Sequence, residues 1–259
     1  MSASSWTRGH YLILDTETTG LDATTDRVVE LSAHSVDLAT GTVTPVFDQL
    51  INPGRHIPPE ASAIHHLVDA DVAHAPPMEQ VWATFAPVLA QHDAVVAHNA
   101  HFDRGFLPPT ADPWICTLRL ARHLWPEAPK HTNQVLRYWL GLQVDAPHPH
   151  RALDDTRVTA ALFQALVPVL ARTVQLSTPD DVERWAERPI TFPKVPLWQV
   201  QGQTLDGCTR RLPAVGPEKT GKMVTCCGTC AAPSPRRHPP GHPPRPCPSF
   251  ADRRPRAPP

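Results

Sequence analysis

The sequence predicts an α/β protein with a mixed five-stranded sheet flanked by helices. Three β-rich segments come first along the chain and are separated by short turns, which is typical of an antiparallel meander. Two short apolar strands follow, and each leads into a segment with helical spacing, which is typical of a sheet with helices packed against it. We therefore expect functional side chains at strand ends and on helices that cross them.

The predicted meander occupies the first 51 residues. Residues 11–21 begin as a run of large aliphatic side chains, which indicates a buried strand. Residues 27–37 and 42–51 are β-rich and partly alternating. Thr40 and Gly41 between them favour a hairpin turn.

The remainder of the body alternates between strands and helices. Residues 94–97 and 114–116 are short apolar runs that favour buried strands. The first leads into a helix near residues 98–103, and the second into a helix over 117–124, for which Thr117 is the predicted N-cap. Further helices are predicted at 61–67, 76–91, 132–140 (ending at Gly141), 150–170 and 179–187.

The chain divides into two parts of opposite charge. Residues 1–199 hold 14 Lys+Arg against 22 Asp+Glu, a net of −8, whereas residues 200–259 hold 10 against 3, a net of +7. Cys116 is the single cysteine of the first part, which excludes an internal disulfide there and fits a reducing cytosol. Because no apolar run approaches about 18 residues and no signal-peptide segment precedes the body, we expect a soluble cytoplasmic protein with no membrane partner.

Two carboxylates close the first predicted strand. Asp15 and Glu17 are two residues apart, so they face the same side of a strand. Like charges this close repel each other unless a cation lies between them. Carboxylate oxygens are hard ligands that suit Mg²⁺ or Mn²⁺. A metal site is therefore one interpretation of this stretch, and a strand followed by a polar turn is the other.

Three further polar residues extend this pattern. Asp103 follows a buried strand, and Asp155 lies on the longest predicted helix, with His150 at the start of that helix. Asp154 points about 100° away from Asp155, so only one of the two should face a shared site. Each residue also has an ordinary explanation: a helix cap for Asp103, a solvated loop for His150, and a helical pair with Arg151 for Asp155. Four acids and a histidine together favour one catalytic site.

Three motifs carry a family resemblance. Asp15-Thr-Glu17-Thr-Thr-Gly, His98-Asn-Ala-His-Phe-Asp103 and His150-Arg-Ala-Leu-Asp-Asp155 resemble the motifs of the DEDD exonuclease superfamily, histidine subtype, also called DnaQ-like. Residues 57–72, 97–104 and 114–126 resemble its exodeoxyribonuclease X branch. The resemblance covers roughly residues 10–193 and implies a ribonuclease-H-like sheet. It also implies 3′→5′ hydrolysis of phosphodiester bonds at DNA ends, releasing nucleoside 5′-monophosphates in repair or proofreading.

The same resemblance implies two Mg²⁺ or Mn²⁺ ions as cofactors. In that scheme Asp15 bridges both ions, Glu17 and Asp155 complete one site, and Asp103 supports the second. His150 takes the proton from the attacking water, a role suited to histidine. Two cations about 3.5–4 Å apart neutralise a phosphodiester and its leaving oxygen, which agrees with this scheme.

The resemblance also implies contacts to a single-stranded or frayed 3′ end of DNA. A phenylalanine or leucine side chain can wedge between bases or stack on them without reading sequence. RNA 3′-end trimming and a catalytically silent nucleic-acid-binding module are the alternatives, and a DNA polymerase is a candidate partner. For His65, a buried structural role is the alternative to substrate contact. The predicted substrate-binding residues are Thr18, Leu21, Ile64, His65, Asn99 and Phe102.

The predicted domains are an exonuclease domain over 8–175, a helical extension over 176–194 and a Pro/Arg/Cys-rich tail over 195–259. Residues 200–259 hold 13 prolines and little apolar periodicity, so we expect a disordered tail. A basic phosphate-binding tail is one interpretation, and a zinc knuckle formed by Cys226, Cys227, Cys230 and Cys247 is another. A shifted reading frame is favoured, because exonuclease X relatives carry Phe-Gly-Lys-Tyr-x-Gly-Lys after a pair like Thr191-Phe192. One back-translation of residues 197–203, read in another frame, restores Gly-Lys-Tyr-Lys-Gly, and resequencing the gene tests this.

Overall fold

Residues 5–190 are the part of the chain that the computed structural model describes. Their five strands form one sheet in the spatial order β3-β2-β1-β4-β5. The first three strands pair antiparallel, and β4 and β5 extend the sheet in parallel with β1, so the predicted mixed sheet is confirmed. The strands are β1 (His10–Thr18), β2 (Val28–Asp37), β3 (Thr42–Leu50), β4 (Ala94–Ala97) and β5 (Trp114–Cys116).

Helices surround this sheet within the described residues. A 3₁₀ turn at Ser5–Arg8 precedes β1. None of the helices in residues 5–190 combines the length and the apolar character needed to cross a bilayer. The helices are α1 (Pro59–His65), α2 (Asp69–Val72), α3 (Met78–Leu89), α4 (Ala100–Phe106), α5 (Thr117–Leu124), α6 (Asn133–Trp139), α7 (Ala152–Thr173) and α8 (Pro179–Ala186).

β1 is the central strand and is buried on both faces. Successive side chains of a strand point to opposite faces, so Tyr11 and Ile13 face one layer of core. There they pack with Phe163 of α7, whose ring lies edge-on to that of Tyr11 at 5.0 Å. Leu12 and its neighbours face the other layer, which includes Phe85 of α3. The carboxylates near the end of β1 are therefore fixed by a strand with little freedom to move.

Some predicted details of the helices differ from those of the described chain. Thr117 is not the N-cap of α5, because Cys116 holds that position and the Thr117 hydroxyl lies in a buried hydrogen-bond network with His98 and the carbonyl of Ala97. The long helix begins at Ala152 instead of residue 150, and α2 was not predicted because four residues are too few to show a period. The predicted tail over 195–259 lies outside the described residues, and the domain boundaries stay predictions.

Candidate active site

Three carboxylates meet where β1 and α7 approach each other. Asp15 and Glu17 project from the same face of β1, and Asp155 comes from the first turn of α7. One oxygen from each of the three lies within 4.8 Å of the other two. The structure thus brings together three predicted site residues that are separated by up to 140 positions in the chain.

Asp103 is buried beside this cluster and is held by the strand itself. It lies in α4, and its Oδ1 accepts hydrogen bonds from the backbone N–H of Thr16 at 3.1 Å and from the Thr16 hydroxyl at 2.8 Å. Since Thr16 lies between Asp15 and Glu17, these bonds attach α4 to the segment that carries both acids. Asp103 is therefore a partner of β1, and its position differs from that of a helix cap.

The acids raise one another's affinity for protons. Burial, followed by the charges of Asp103 and Glu17, holds the pKa of Asp15 well above its usual range. Burial and then Asp155 raise the pKa of Glu17 to about 9, and burial raises the pKa of Asp103 to about 7 against the opposing hydrogen bonds from Thr16. Burial and mutual repulsion disfavour the charged form of these carboxylates, and a bound cation would relieve that repulsion. Their hard oxygen ligands fit a divalent cation such as Mg²⁺ or Mn²⁺.

Asp155 is oriented by two donors. The backbone N–H of His150 donates to its Oδ2 at 3.0 Å, and Nε2 of Gln134 in α6 donates to its Oδ1 at 3.2 Å. Burial is the main cause that raises the pKa of Asp155, and both donors oppose it. His150 itself is exposed and has a φ of 64°, which is uncommon outside glycine. This backbone conformation lets the chain place His150 next to Asp155 just before the helix begins.

Asp154 faces away from the cluster, as its position one residue before Asp155 predicts. It is buried, and its Oδ1 pairs with Nη1 of Arg157 at 2.9 Å. Its Oδ2 accepts the backbone N–H of His148 at 2.8 Å. Asp154 therefore secures the loop that precedes α7, whereas Asp155 belongs to the carboxylate cluster.

One buried acid next to the site was not found from the sequence. Glu30 of β2 pairs in register with Glu17 of β1, and Nη2 of Arg151 lies 2.6 Å from its Oε1. The suggested helical pair between Arg151 and Asp155 is therefore replaced by a pair across the fold. The available signal was a lone glutamate within the otherwise apolar Val28–Leu31 stretch, since a buried charge needs a partner.

Most of the predicted substrate contacts line a single pocket beside Glu17. The pocket has a volume of about 340 Å³, and Leu21 is 84% exposed at this site. His65 is buried in the wall, where its Nδ1 accepts the N–H of Leu67 at 3.1 Å and burial lowers its pKa. Asn99 is not among the lining residues and instead precedes α4 with a φ of 74°. The predicted residues in the lining are Thr18, Leu21, Ile64, His65 and Phe102.

The loop that carries Leu21 is braced by Asp26. The Thr19 hydroxyl donates to Oδ1 of Asp26 at 3.1 Å, and the N–H of Asp22 donates to its Oδ2 at 3.1 Å. A Cβ at Gly20 would lie 2.4 Å from Oδ2 of Asp26, so a larger residue at position 20 would displace this carboxylate from its hydrogen bonds. The exposed Leu21 is thus presented by an ordered loop.

Fold and site together define a ribonuclease-H-like exonuclease fold, in which acids from β1, α4 and α7 surround the end of a central strand. The chain belongs to the exonuclease family described as RNase_T, whose model matches residues 12–163. The predicted DnaQ-like resemblance is thereby confirmed.

Curated relatives agree with this family. The chain is 42% identical over 154 residues to "Exodeoxyribonuclease 10" of Escherichia coli K12, and the alignment covers 58% of this chain and 66% of that protein. It is 35% identical over 169 residues to a "DNA polymerase III subunit epsilon-like protein" of Rhodobacter capsulatus, covering 62% of this chain and 24% of the relative. The chain therefore spans just under two thirds of the first relative and a smaller share of the second.

Solved structures share the fold. "Exonuclease X in complex with 5′ overhanging duplex DNA" matches with a TM-score of 0.57 and 36% identity, covering 67% of this chain and 99% of that one. The "nuclease domain of 3′hExo, a DEDDh family member, bound to rAMP" matches with a TM-score of 0.55 and 17% identity, covering 68% and 98%. At 17% identity, the second match shows the fold alone.

Proposed function

We propose that this protein is a metal-dependent 3′→5′ exodeoxyribonuclease that releases nucleoside 5′-monophosphates from DNA ends in repair or proofreading. The observation that carries this proposal is the meeting of Asp15, Glu17 and Asp155 within 4.8 Å, with the backbone of His150 bonded to Asp155. A cytoplasmic location belongs to the same proposal, supported by Cys116 as the one cysteine of residues 1–199.

The proposed roles follow from the contacts of each residue. Asp15, Glu17 and Asp155 would hold divalent cations, and the buried Asp103 would support a second ion. When bound, these cations neutralise the phosphate and its leaving oxygen. His150 lies beside Asp155 on an exposed loop, where its ring can reach an attacking water and accept its proton.

Two of the comparisons favour DNA as the substrate. A relative that is 42% identical is named an exodeoxyribonuclease, and a 36% identical structure contains duplex DNA with a 5′ overhang. The pocket beside Glu17 would receive the terminal nucleotide, with Leu21, Ile64 and Phe102 against its base and sugar. An RNA trimmer remains the alternative within enzymes. The convergent acids disfavour a silent binding module, which gains nothing from four mutually repelling carboxylates.

The proposal is tested with purified protein and oligonucleotides labelled at either end. With Mg²⁺, we expect 3′-labelled DNA to release labelled mononucleotide at once and 5′-labelled DNA to shorten in steps of one. Chelation of the metal should stop both. Parallel reactions with single-stranded DNA, recessed duplex DNA and RNA decide between the DNA and RNA alternatives. Binding without release in any of them would support the silent module.

His150→Ala is expected to lower kcat by about 10²- to 10⁴-fold, because the water loses its proton acceptor. The KM should change little, since the ring is not part of the nucleotide pocket. Steady-state kinetics on a single-stranded oligonucleotide provide the measurement. His74→Ala, at another exposed histidine, is the matched control and should behave like the wild type. Equal rates for both variants would remove His150 from the mechanism.

Leu21→Ala is expected to raise the KM for DNA about 10-fold with a smaller change in kcat, because burying a leucine side chain against a base contributes about 1.5 kcal/mol. The effect should be seen on both single-stranded and frayed ends. Val43→Ala, which truncates an exposed apolar residue of β3, is the control. An unchanged KM for Leu21→Ala would contradict a substrate contact at this residue.

A further inference from the structure

The starting point is Glu30, a carboxylate that is only 2% exposed and lies one strand away from the acid cluster. Its Oε1 is 2.6 Å from Nη2 and 3.2 Å from Nε of Arg151, and its Oε2 is 3.1 Å from the same Nε. This two-point contact matches the planar fork of a guanidinium, which fixes direction as well as distance. β2 therefore holds the residue just before α7 in one orientation.

Glu30 also binds the first turn of α7 directly. Its Oε2 accepts the backbone N–H of Ala152, the first residue of the helix, at 3.1 Å. The first N–H groups of a helix have no partner within the helix, so an acceptor from outside fixes where the helix starts and how it is rotated. A carboxylate is also the favoured charge at this end of a helix.

The two residues of functional interest flank this anchor. His150 immediately precedes Arg151, and Asp155 lies about one turn after it. The N–H of His150 in turn donates to Asp155 at 3.0 Å. A change in the position of Arg151 or Ala152 would therefore move the proposed proton acceptor and a proposed metal ligand together.

Stability alone gives a poor account of this pair. Glu30 loses its hydration on burial, whereas the Arg151 side chain is 40% exposed, so solvent weakens their attraction and it offsets that cost only in part. Glu30 also carries a specific disadvantage, since its charge helps to raise the pKa of Asp15 and Glu17. An anchor with directional bonds, placed between the helix start and the central strands, accounts for a charge at this position.

We propose that Glu30 and Arg151 are positioning residues for the hydrolytic reaction: their ion pair, with Glu30 buried, fixes the start of α7 and thereby sets His150 and Asp155 relative to Asp15 and Glu17. This inference rests on the proposed function and deepens it. Neither residue is assigned a contact with substrate or metal. Their effect acts through His150 and Asp155.

Glu30→Gln is the first test, because glutamine keeps the shape and can still accept the N–H of Ala152 but loses the charge that binds Arg151. We expect kcat to fall about 10- to 100-fold, the range typical of residues that orient metal ligands, with KM within about twofold. Arg151→Lys, which retains the positive charge but lacks the planar guanidinium, should likewise lower kcat and leave KM nearly unchanged. Glu183→Gln, which removes the charge that Glu183 of α8 offers to Arg104 of α4, is the control and should retain wild-type kinetics.

A double-mutant cycle with His150→Ala separates positioning from stability. If Glu30 acts through His150, Glu30→Gln should cost much less activity in the His150→Ala background than in the wild type. Fully multiplicative losses would contradict the proposed action through His150, and unchanged kcat in folded Glu30→Gln and Arg151→Lys would overturn the whole proposal. If Glu30→Gln does not fold, the same double-mutant cycle is measured with Arg151→Lys. If neither variant folds, the pair serves stability and the positioning role is refuted. An inactive wild type would instead refute the proposed nuclease function.

Discussion

Asp155→Asn is expected to reduce Mg²⁺-dependent release of mononucleotides by about 10³-fold or more. The side chain keeps its size and its neighbours, but it no longer offers a charged oxygen to the cluster that it forms with Asp15 and Glu17. Metal-assisted stabilisation of a reacting phosphate is worth several kcal/mol, and each 1.36 kcal/mol corresponds to a factor of ten in rate. Single-turnover assays across a Mn²⁺ titration, with calorimetry of Mn²⁺ binding, measure the loss.

The adjacent residue supplies the matched control. Asp154→Asn makes the same chemical change on the same helical turn, but Asp154 pairs with Arg157 and with the N–H of His148. We expect unchanged Mn²⁺ affinity and activity within about tenfold of the wild type. The melting temperature should fall instead, because a buried residue loses its charged partner. If Asp154→Asn loses activity and Asp155→Asn retains it, then Asp154 is the residue that belongs to the site, and the assignment of Asp155 is wrong.

The parts of this site that follow local rules were predictable. The aliphatic run before Asp15 indicated β1, and the spacing of two placed Asp15 and Glu17 on one face of it. The 100° step of a helix showed that Asp154 and Asp155 do not both face the site, and the family motif selected Asp155. The strand and helix periods need only a few neighbouring residues, whereas the choice between the two aspartates needed the resemblance.

The parts that the sequence did not reveal depend on contacts between distant segments. Glu30 and Arg151 are 121 positions apart, and only the pairing of β2 with β1 together with the course of α7 brings them into contact. Thr117 has the side chain of a helix cap, yet a buried network with His98 and Ala97 uses its hydroxyl instead. Helical propensity likewise could not show that His150 takes a left-handed backbone conformation, in which its N–H bonds to the side chain of Asp155.

Asp15→Asn is expected to abolish turnover and, in the absence of metal, to make the protein more stable. In the folded protein Asp15 is surrounded by Glu17, Asp103 and Asp155, all of which act to raise its pKa in addition to burial. Removing its charge relieves this repulsion without removing volume. A gain of about 1 kcal/mol corresponds to a rise of about 2–4 °C in melting temperature for a domain of this size.

The pH dependence of this effect has a definite sign. An acid whose pKa is higher in the folded than in the unfolded state binds more protons when folded, so stability falls as the pH rises between those two values. For Glu17 this interval runs from its ordinary range up to about 9. The melting temperature of the metal-free wild type should therefore decrease from pH 6 to pH 9. That of Asp15→Asn should decrease less, since one charge of the cluster is absent.

Metal and a charge-matched control complete the Asp15→Asn experiment. At 100 times its Kd, Mg²⁺ or Mn²⁺ should stabilise the wild type by about 2.7 kcal/mol and so raise its melting temperature. The melting temperature of Asp15→Asn should rise much less. Glu127→Gln removes one negative charge at an exposed position outside the cluster. Its melting curves with and without metal should match those of the wild type. If Asp15→Asn proves less stable than the wild type without metal, repulsion among the acids is not the dominant force at this site. Equal stabilisation of both proteins by metal would mean that the cation binds elsewhere, and the assignment of Asp15 as a ligand would be wrong.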